Sequence, residues 1–139
     1  VELADLVHSV DSLKLARRLS RFATEAGRTL SVLVQLNVSG EEAKHGFQGA
    51  EVEEVLFELL ELPSLRVRGL MTMAPFVEDE KVLRKVFSGL RRLHEDAGRI
   101  PGYEGTELSM GMTNDFELAV EEGSTMVRIG SALFGERPR

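Results

Sequence analysis

Apolar residues along the chain switch between two spacings, and the switching predicts a strand-then-helix unit repeated several times. Residues 6–10 (LVHSV) form a short apolar segment. Asp11 follows at a helix N-cap position, and Leu15, Leu19, Phe22 and Ala26 recur at helical spacing until Gly27. Residues 30–37 (LSVLVQLN) are the β-branched and Leu-rich run of a parallel strand covered on both sides. Gln35 and Asn37 share one face at its end. The loop SGEEAKHGF leads to a helix with Val52, Val55, Leu56 and Leu59, closed near Pro63. Residues 65–73 (LRVRGLMTM) read as the next strand, Gly69 marking a bend or close approach and Met71 and Met73 serving as core filler. Acids in APFVEDE suit a helix start, and Leu83, Val86, Phe87, Leu90 and Leu93 form the stripe that follows. A Gly- and Pro-containing linker, residues 98–105, ends this unit.

The stretch LSMGMTNDFELAVEEGSTMVRIGSALFG, residues 108–135, completes the pattern. It predicts a strand ending at 109–112, a helix over 114–121, a stop at Gly123, a strand over 125–129 and a helical turn from Ser131. Two strand ends thus open onto small or hydroxylic residues, Gly111 and Thr113 at one and Gly130 and Ser131 at the other. Glycine lets backbone approach a ligand, and a helix N-terminus leaves N–H groups that suit an anion. Alternation in the last strand sets Val127 and Ile129 on one face and Met126, Arg128 and Gly130 on the other. Arg128 then either points into a barrel mouth beside a phosphate or pairs with a neighbouring carboxylate.

Strands separated by helices imply parallel pairing and right-handed crossovers. A doubly wound sheet would fit this order, but the GxGxxG fingerprint after its first strand is absent. Polar residues gather instead at several strand C-termini, the arrangement of a (β/α)8 barrel, whose last two loops are a common phosphate site. Five strands do not close such a barrel. The chain reads as one domain, α/β in class, forming the later part of a TIM-type barrel.

Composition narrows the chemistry. A length of 139 residues suits one domain, and 42% hydrophobic with 29% charged content is that of a soluble globular protein. A net charge of −6 argues against nucleic acid or an anionic membrane as a partner. No apolar run reaches membrane-span length, and VELADLV lacks the regions of a signal peptide, so the expected location is cytoplasmic. Zero cysteines exclude disulfides and thiolate chemistry. His8, His45 and His94 sit on separate units at no metal-ligand spacing, the acidic runs read as solvated helix faces, and no GxSxG nucleophile motif occurs.

Four blocks, HSVDSLKLA, VLVQLNVSGEEAKHGF, RGLMTMAP and LSMGMTNDFELAVEEGSTMVRIGSALFG, resemble in order the pyridoxal-phosphate homeostasis protein family, relatives of the alanine racemase N-terminal barrel. The resemblance implies a barrel that binds pyridoxal 5′-phosphate at its strand C-termini. It implies that Arg128 faces the pyridine nitrogen, that Met112, Thr113, Gly130 and Ser131 form the phosphate cradle, and that Ser109 lies on the strand beneath. Threonine stands at 113 where a serine is expected, which keeps the hydroxyl. An arginine beside the ring nitrogen keeps that nitrogen unprotonated and the ring a weak electron sink, suiting a non-catalytic carrier of the cofactor.

The family's lysine that carries the cofactor as a Schiff base belongs to an AVSKTK-like segment that this sequence lacks, as it lacks the GENY-like and WHFIG-like strands. Lys14, Lys44, Lys81 and Lys85 all read otherwise, and Val1 is not a methionine. The expectation is a later barrel fragment whose N-terminal part lies elsewhere. An amino-acid racemase is the alternative function, and it needs a second acid/base group; the single tyrosine, Tyr103, sits in the linker. An interrupted barrel leaves edges and apolar interior, with Val34, Leu70, Met71 and Met110 among the candidates. Self-association, or pairing with the missing N-terminal segment, is expected.

Overall fold

A computed structural model describes residues 8–38, 46–73, 78–112 and 115–128. Strand β1 (His8–Val10) leads to helix α1 (Leu13–Glu25), and strand β2 (Leu30–Asn37) follows. A two-residue strand β3 (Phe47–Gln48), a 3-10 turn and helix α2 (Val52–Glu61) come next. Then come β4 (Leu65–Met71), α3 (Glu80–Ala97), β5 (Glu107–Met112), α4 (Phe116–Glu121) and β6 (Met126–Arg128).

All pairings are parallel, and the sheet runs β1-β2-β4-β5-β6, with β3 paired to β2 off this path. Every strand on the path lies beside the next one in the chain. A doubly wound sheet reverses direction at a switch point; this sheet never does. Right-handed crossovers then put successive helices on one face, and α1 packs on α2, α2 on α3, and α3 on α4. The architecture is a singly wound barrel wall with its helices outside.

The core lies between that helical layer and one face of the strands. Val10, Val32, Val34, Leu36, Val67, Leu70, Leu108 and Met110 meet Ala16, Ala23, Val55, Leu56, Leu59, Val86, Phe87, Leu90 and Ala119. Each fully buried leucine contributes roughly 2 kcal/mol. The other face carries Leu33, Gln35, Asn37, Met71 and Ser109. Val67 and Leu70 share the helix face although they are three residues apart, because a bulge shifts the register so that Val32 pairs Val67 and Leu33 pairs Gly69. Gly69 is obligatory there: a Cβ would stand 1.8 Å from the Glu107 carbonyl oxygen.

Several expectations change. Ser12, not Asp11, caps α1, its hydroxyl accepting from Leu15 N–H at 3.1 Å. Phe22 leaves the buried stripe and is 56% exposed, since Ala16, Ser20 and Ala23 turn inward. Small residues let α1 approach closely, and Ser20 Oγ donates to the Pro63 carbonyl at 2.5 Å. Met71 is buried as core filler, whereas Met73, beyond the end of β4, is 41% exposed. Val34, Leu70, Met71 and Met110 are all buried, the first, second and fourth by helices. Residues 6 and 7 of the first predicted strand and Ile129 of the last lie outside the described residues. β3 has no periodic signal because two residues are too few to show one.

Candidate functional site at the ends of β5 and β6

Register places one row of residues across four strands. Gln35 of β2 pairs with Met71 of β4, Met71 with Ser109 of β5, and Ser109 with Met126 of β6. Ser109 and Asn37 are buried near the strand C-termini, and Gln35 is half-buried. Thr72 ties this end together: its N–H donates to the Ser109 carbonyl at 3.1 Å, and its hydroxyl donates to the Leu36 carbonyl at 2.8 Å. One threonine therefore fixes β2, β4 and β5 relative to one another just below their exits.

Beyond Ser109 the β5 backbone departs from regular geometry. Gly111 has φ +102°, a conformation that L side chains rarely adopt, and the register shifts so that Met112 pairs with Arg128. The extra residue on β5 brings the ends of the two strands level. Helix α4 starts soon after β5, and Asp115 at its start is buried.

The beginning of β6 is fastened by hydroxyls. Ser124 Oγ donates to the Met110 carbonyl at 2.8 Å and lies 3.2 Å from that of Leu108. Thr125 Oγ1 accepts from Leu108 N–H at 2.7 Å and bonds the Glu107 carboxylate at 2.8 Å. These bonds join the backbone bond from Thr125 N–H to the Leu108 carbonyl at 2.9 Å, so register is set before Arg128 is reached. Ser109, Met112 and Arg128 thus lie on the two adjoining strands expected of them. Thr113, Gly130 and Ser131 lie outside the described residues. Thr72, Ser124 and Thr125 were missed from sequence; hydroxyls at the margins of the strands were the available signal.

The remaining chemistry-bearing residues lie elsewhere. Lys14 is exposed on α1, Lys81 and Lys85 are exposed on α3, and Lys44 is outside the described residues. Tyr103 is not free in its linker: it is buried, with its hydroxyl 3.4 Å from His94 Nδ1 and the rings edge-on. Burial pushes the Tyr103 hydroxyl up to about 12 and His94 down from its ordinary value, the latter partly opposed by the charges of Glu95 and Glu107. A groove of about 400 Å³ between α2 and the end of α3, lined by Phe57, Leu93, Ile100 and Pro101 among others, contains no strand residue and lies apart from the β5–β6 ends. Among the described residues no cluster of His, Asp or Glu could hold a metal, and no helix is long and apolar enough to cross a membrane.

A singly wound parallel wall of βα units is the design of a (β/α) barrel. The family model for the alanine racemase N-terminal domain matches residues 1–138, and the chain belongs to that family. Among curated relatives, the pyridoxal phosphate homeostasis protein of Aquifex aeolicus is 42% identical over 132 residues, covering 95% of this chain and 58% of the relative. The structure of PipY from Synechococcus elongatus with pyridoxal phosphate bound matches at 38% identity and a TM-score of 0.86, over 97% of this chain and 63% of that one. Alanine racemase of Clostridium difficile shares the fold, with a TM-score of 0.74 at 22% identity over 96% of this chain and 35% of that one. The chain spans somewhat over half the length of the homeostasis relative and of PipY.

Proposed function

We propose that this chain is the phosphate-holding part of a pyridoxal 5′-phosphate barrel, and that the whole protein buffers or delivers the cofactor without catalysing a reaction on it. The observation that carries the proposal is the level meeting of β5 and β6, where Met112 stands in register with Arg128 just past the left-handed Gly111. Such a backbone, free of a Cβ at its bend, suits a phosphate group. Ser109, Met112 and Arg128 on these strands, with Thr113, Gly130 and Ser131 beside them in sequence, are the residues assigned to the cofactor. Bound there, the cofactor supplies an aldehyde toward amines and an electron-withdrawing ring. Arg128 at the ring nitrogen would repel a proton there and weaken that electron withdrawal.

The lysine that holds the aldehyde belongs, on this reading, to the portion that the longer relatives have in addition. Tyr103, this chain's one tyrosine, is buried against His94 in the segment that enters β5 at its N-terminal end, so this chain brings no tyrosine to the strand exits as a racemase's second acid/base. Calorimetric titration with pyridoxal 5′-phosphate tests the proposal. Saturable binding that inorganic phosphate competes away, and that Thr113→Val with Ser131→Ala abolishes, is expected. Binding unaltered in that double variant, or none in the parent chain, would overturn it. Alanine racemisation by a protein of the relatives' full length would overturn the non-catalytic part.

A further inference from the structure

Helix α4 has six residues, of which Ala119 is buried and Leu118 packs partly buried against the core, while Val120 is 54% exposed. Two arginines of α3 grip its far end as well. Arg84 Nη1 donates to Glu122 Oε2 at 3.0 Å, Nη2 to Glu121 Oε1 at 3.0 Å, and Nε to Glu80 Oε1 at 3.1 Å. Arg91 Nη1 lies 3.5 Å from Glu122 Oε1 and donates to the Glu122 carbonyl at 3.5 Å. Gly123 turns the chain at φ +105° against the Arg91 side chain, where a Cβ would meet Cδ at 3.3 Å. Glu122, with its side chain 17% exposed, is the most sheltered carboxylate in the network.

A lone exposed ion pair contributes little, but one planar fork shared among three carboxylates is a geometric constraint as well as an attraction. The bonds to Glu121, Glu80 and Glu122 raise the Arg84 guanidinium above its ordinary value. Immediately after the gripped turn, Ser124 and Thr125 bond to β5. The start of β6 is therefore held from two sides, by α3 through Glu122 and by β5 through hydroxyls.

We infer that Arg84 and Arg91 are positioning residues for the ligand-binding strand end: by fixing the turn at Glu122 and Gly123 they set where β6 starts, and hence how Arg128 stands against Met112. The effect on ligand rests on the pyridoxal-phosphate reading above; the effect on β6 does not. Both arginines belong to α3 and not to the strand ends assigned to the ligand.

The test pairs amide hydrogen exchange with cofactor binding on the 139-residue chain, in Arg84→Met, Arg84→Lys and, as control, Arg17→Met, which removes an exposed 3.9 Å pair with Glu58. Arg84→Met should raise exchange at residues 123–128 about tenfold while β1 and β2 change less than about twofold. Arg84→Lys should fall between, and Arg17→Met should match the parent. Raising salt from about 0.05 to 1 M should reproduce much of the local rise in the parent but add less in Arg84→Met, which keeps only the longer Arg91 contacts to Glu122 for salt to screen. The cofactor dissociation constant should rise about tenfold in Arg84→Met. Uniform exchange along the chain, or none added at 123–128, would overturn the positioning role. Selective exchange with unchanged cofactor affinity would overturn its link to the ligand. A parent chain that takes up no cofactor would sink the functional reading, leaving exchange to decide the clamp alone.

Discussion

Replacing Gly69 by alanine tests the bulge on which the wall depends. The added Cβ would fall 1.8 Å from the Glu107 carbonyl oxygen, 2.6 Å from its carbon and 3.0 Å from its Cα, all backbone atoms of the neighbouring strand. Comfortable contact needs about 3.5 Å, so β4 and β5 must part locally by more than about 1 Å, out of an inter-strand spacing of about 4.8 Å. The pairs Gly69 with Glu107 and Leu70 with Leu108, and the 3.0 Å bond from Thr106 N–H to the Arg68 carbonyl, bear that movement. Two weakened ladder bonds at about 1 kcal/mol each, with overpacking of about 2 kcal/mol, outweigh the roughly 0.7 kcal/mol that alanine gains by restricting the unfolded chain. The net loss is about 3 kcal/mol, which corresponds to a fall of roughly 10 °C in melting temperature for a chain of this size. Urea unfolding followed by circular dichroism should show a midpoint lower by about 2 M. Gly98→Ala is the control, since Gly98 caps α3 at φ −59° and only the Glu95 carbonyl approaches, at 3.2 Å. Gly69→Ala melting within about 2 °C of that control would refute the close-approach reasoning.

Ser12→Ala should cost about 1 kcal/mol by removing the α1 cap, seen as a lower urea midpoint with an unchanged slope. Ser124→Ala should destabilise by about 1 kcal/mol and, in exchange experiments, loosen β6 ahead of β1 and β2. His94 has a folded pKa below its unfolded value near 6.5, so its contribution is intact above about pH 6.5 and is lost as pH falls through the folded pKa, where the unfolded state holds the extra proton. His94→Gln should flatten that part of the stability curve below about pH 6.5, and an identical curve would count against it. Tyr103 gives the opposite limb, with stability lost as pH rises from about 10 toward 12, and Tyr103→Phe should remove it.

Residue spacing made the order of strands and helices legible, because strands buried on both sides and amphipathic helices have different periods. Gly69 and Gly123 were legible too, as positions where a side chain could not fit or a helix had to stop. Phe22 was misplaced because helical spacing marks a face without saying how close the sheet lies; Ala16, Ser20 and Ala23 make the tighter fit. Asp11 and Ser12 are both good caps in sequence, and only the backbone turn chooses between them. The site was legible as a strand-end pair, whereas its stitching by Thr72, Ser124 and Thr125 was not, since a hydroxyl's partners lie on other strands. Nothing in the sequence alone singles out Arg84. Its significance comes from Glu121 and Glu122, well over thirty positions away along the chain, which only the packing of α3 on α4 brings near.

The strict chain order of the sheet bears on how such a wall can be assembled. Each strand on the path finds its partner one βα unit away, so every pairing closes a loop of modest length and none waits for a distant segment. Growth can proceed unit by unit, each new helix docking on the one before, without undoing contacts already made. A chain of this kind has natural seams. Units can be added at the β1 or β6 margin with the interior pairings left as they are, so such a wall can be lengthened without repacking what is already in place.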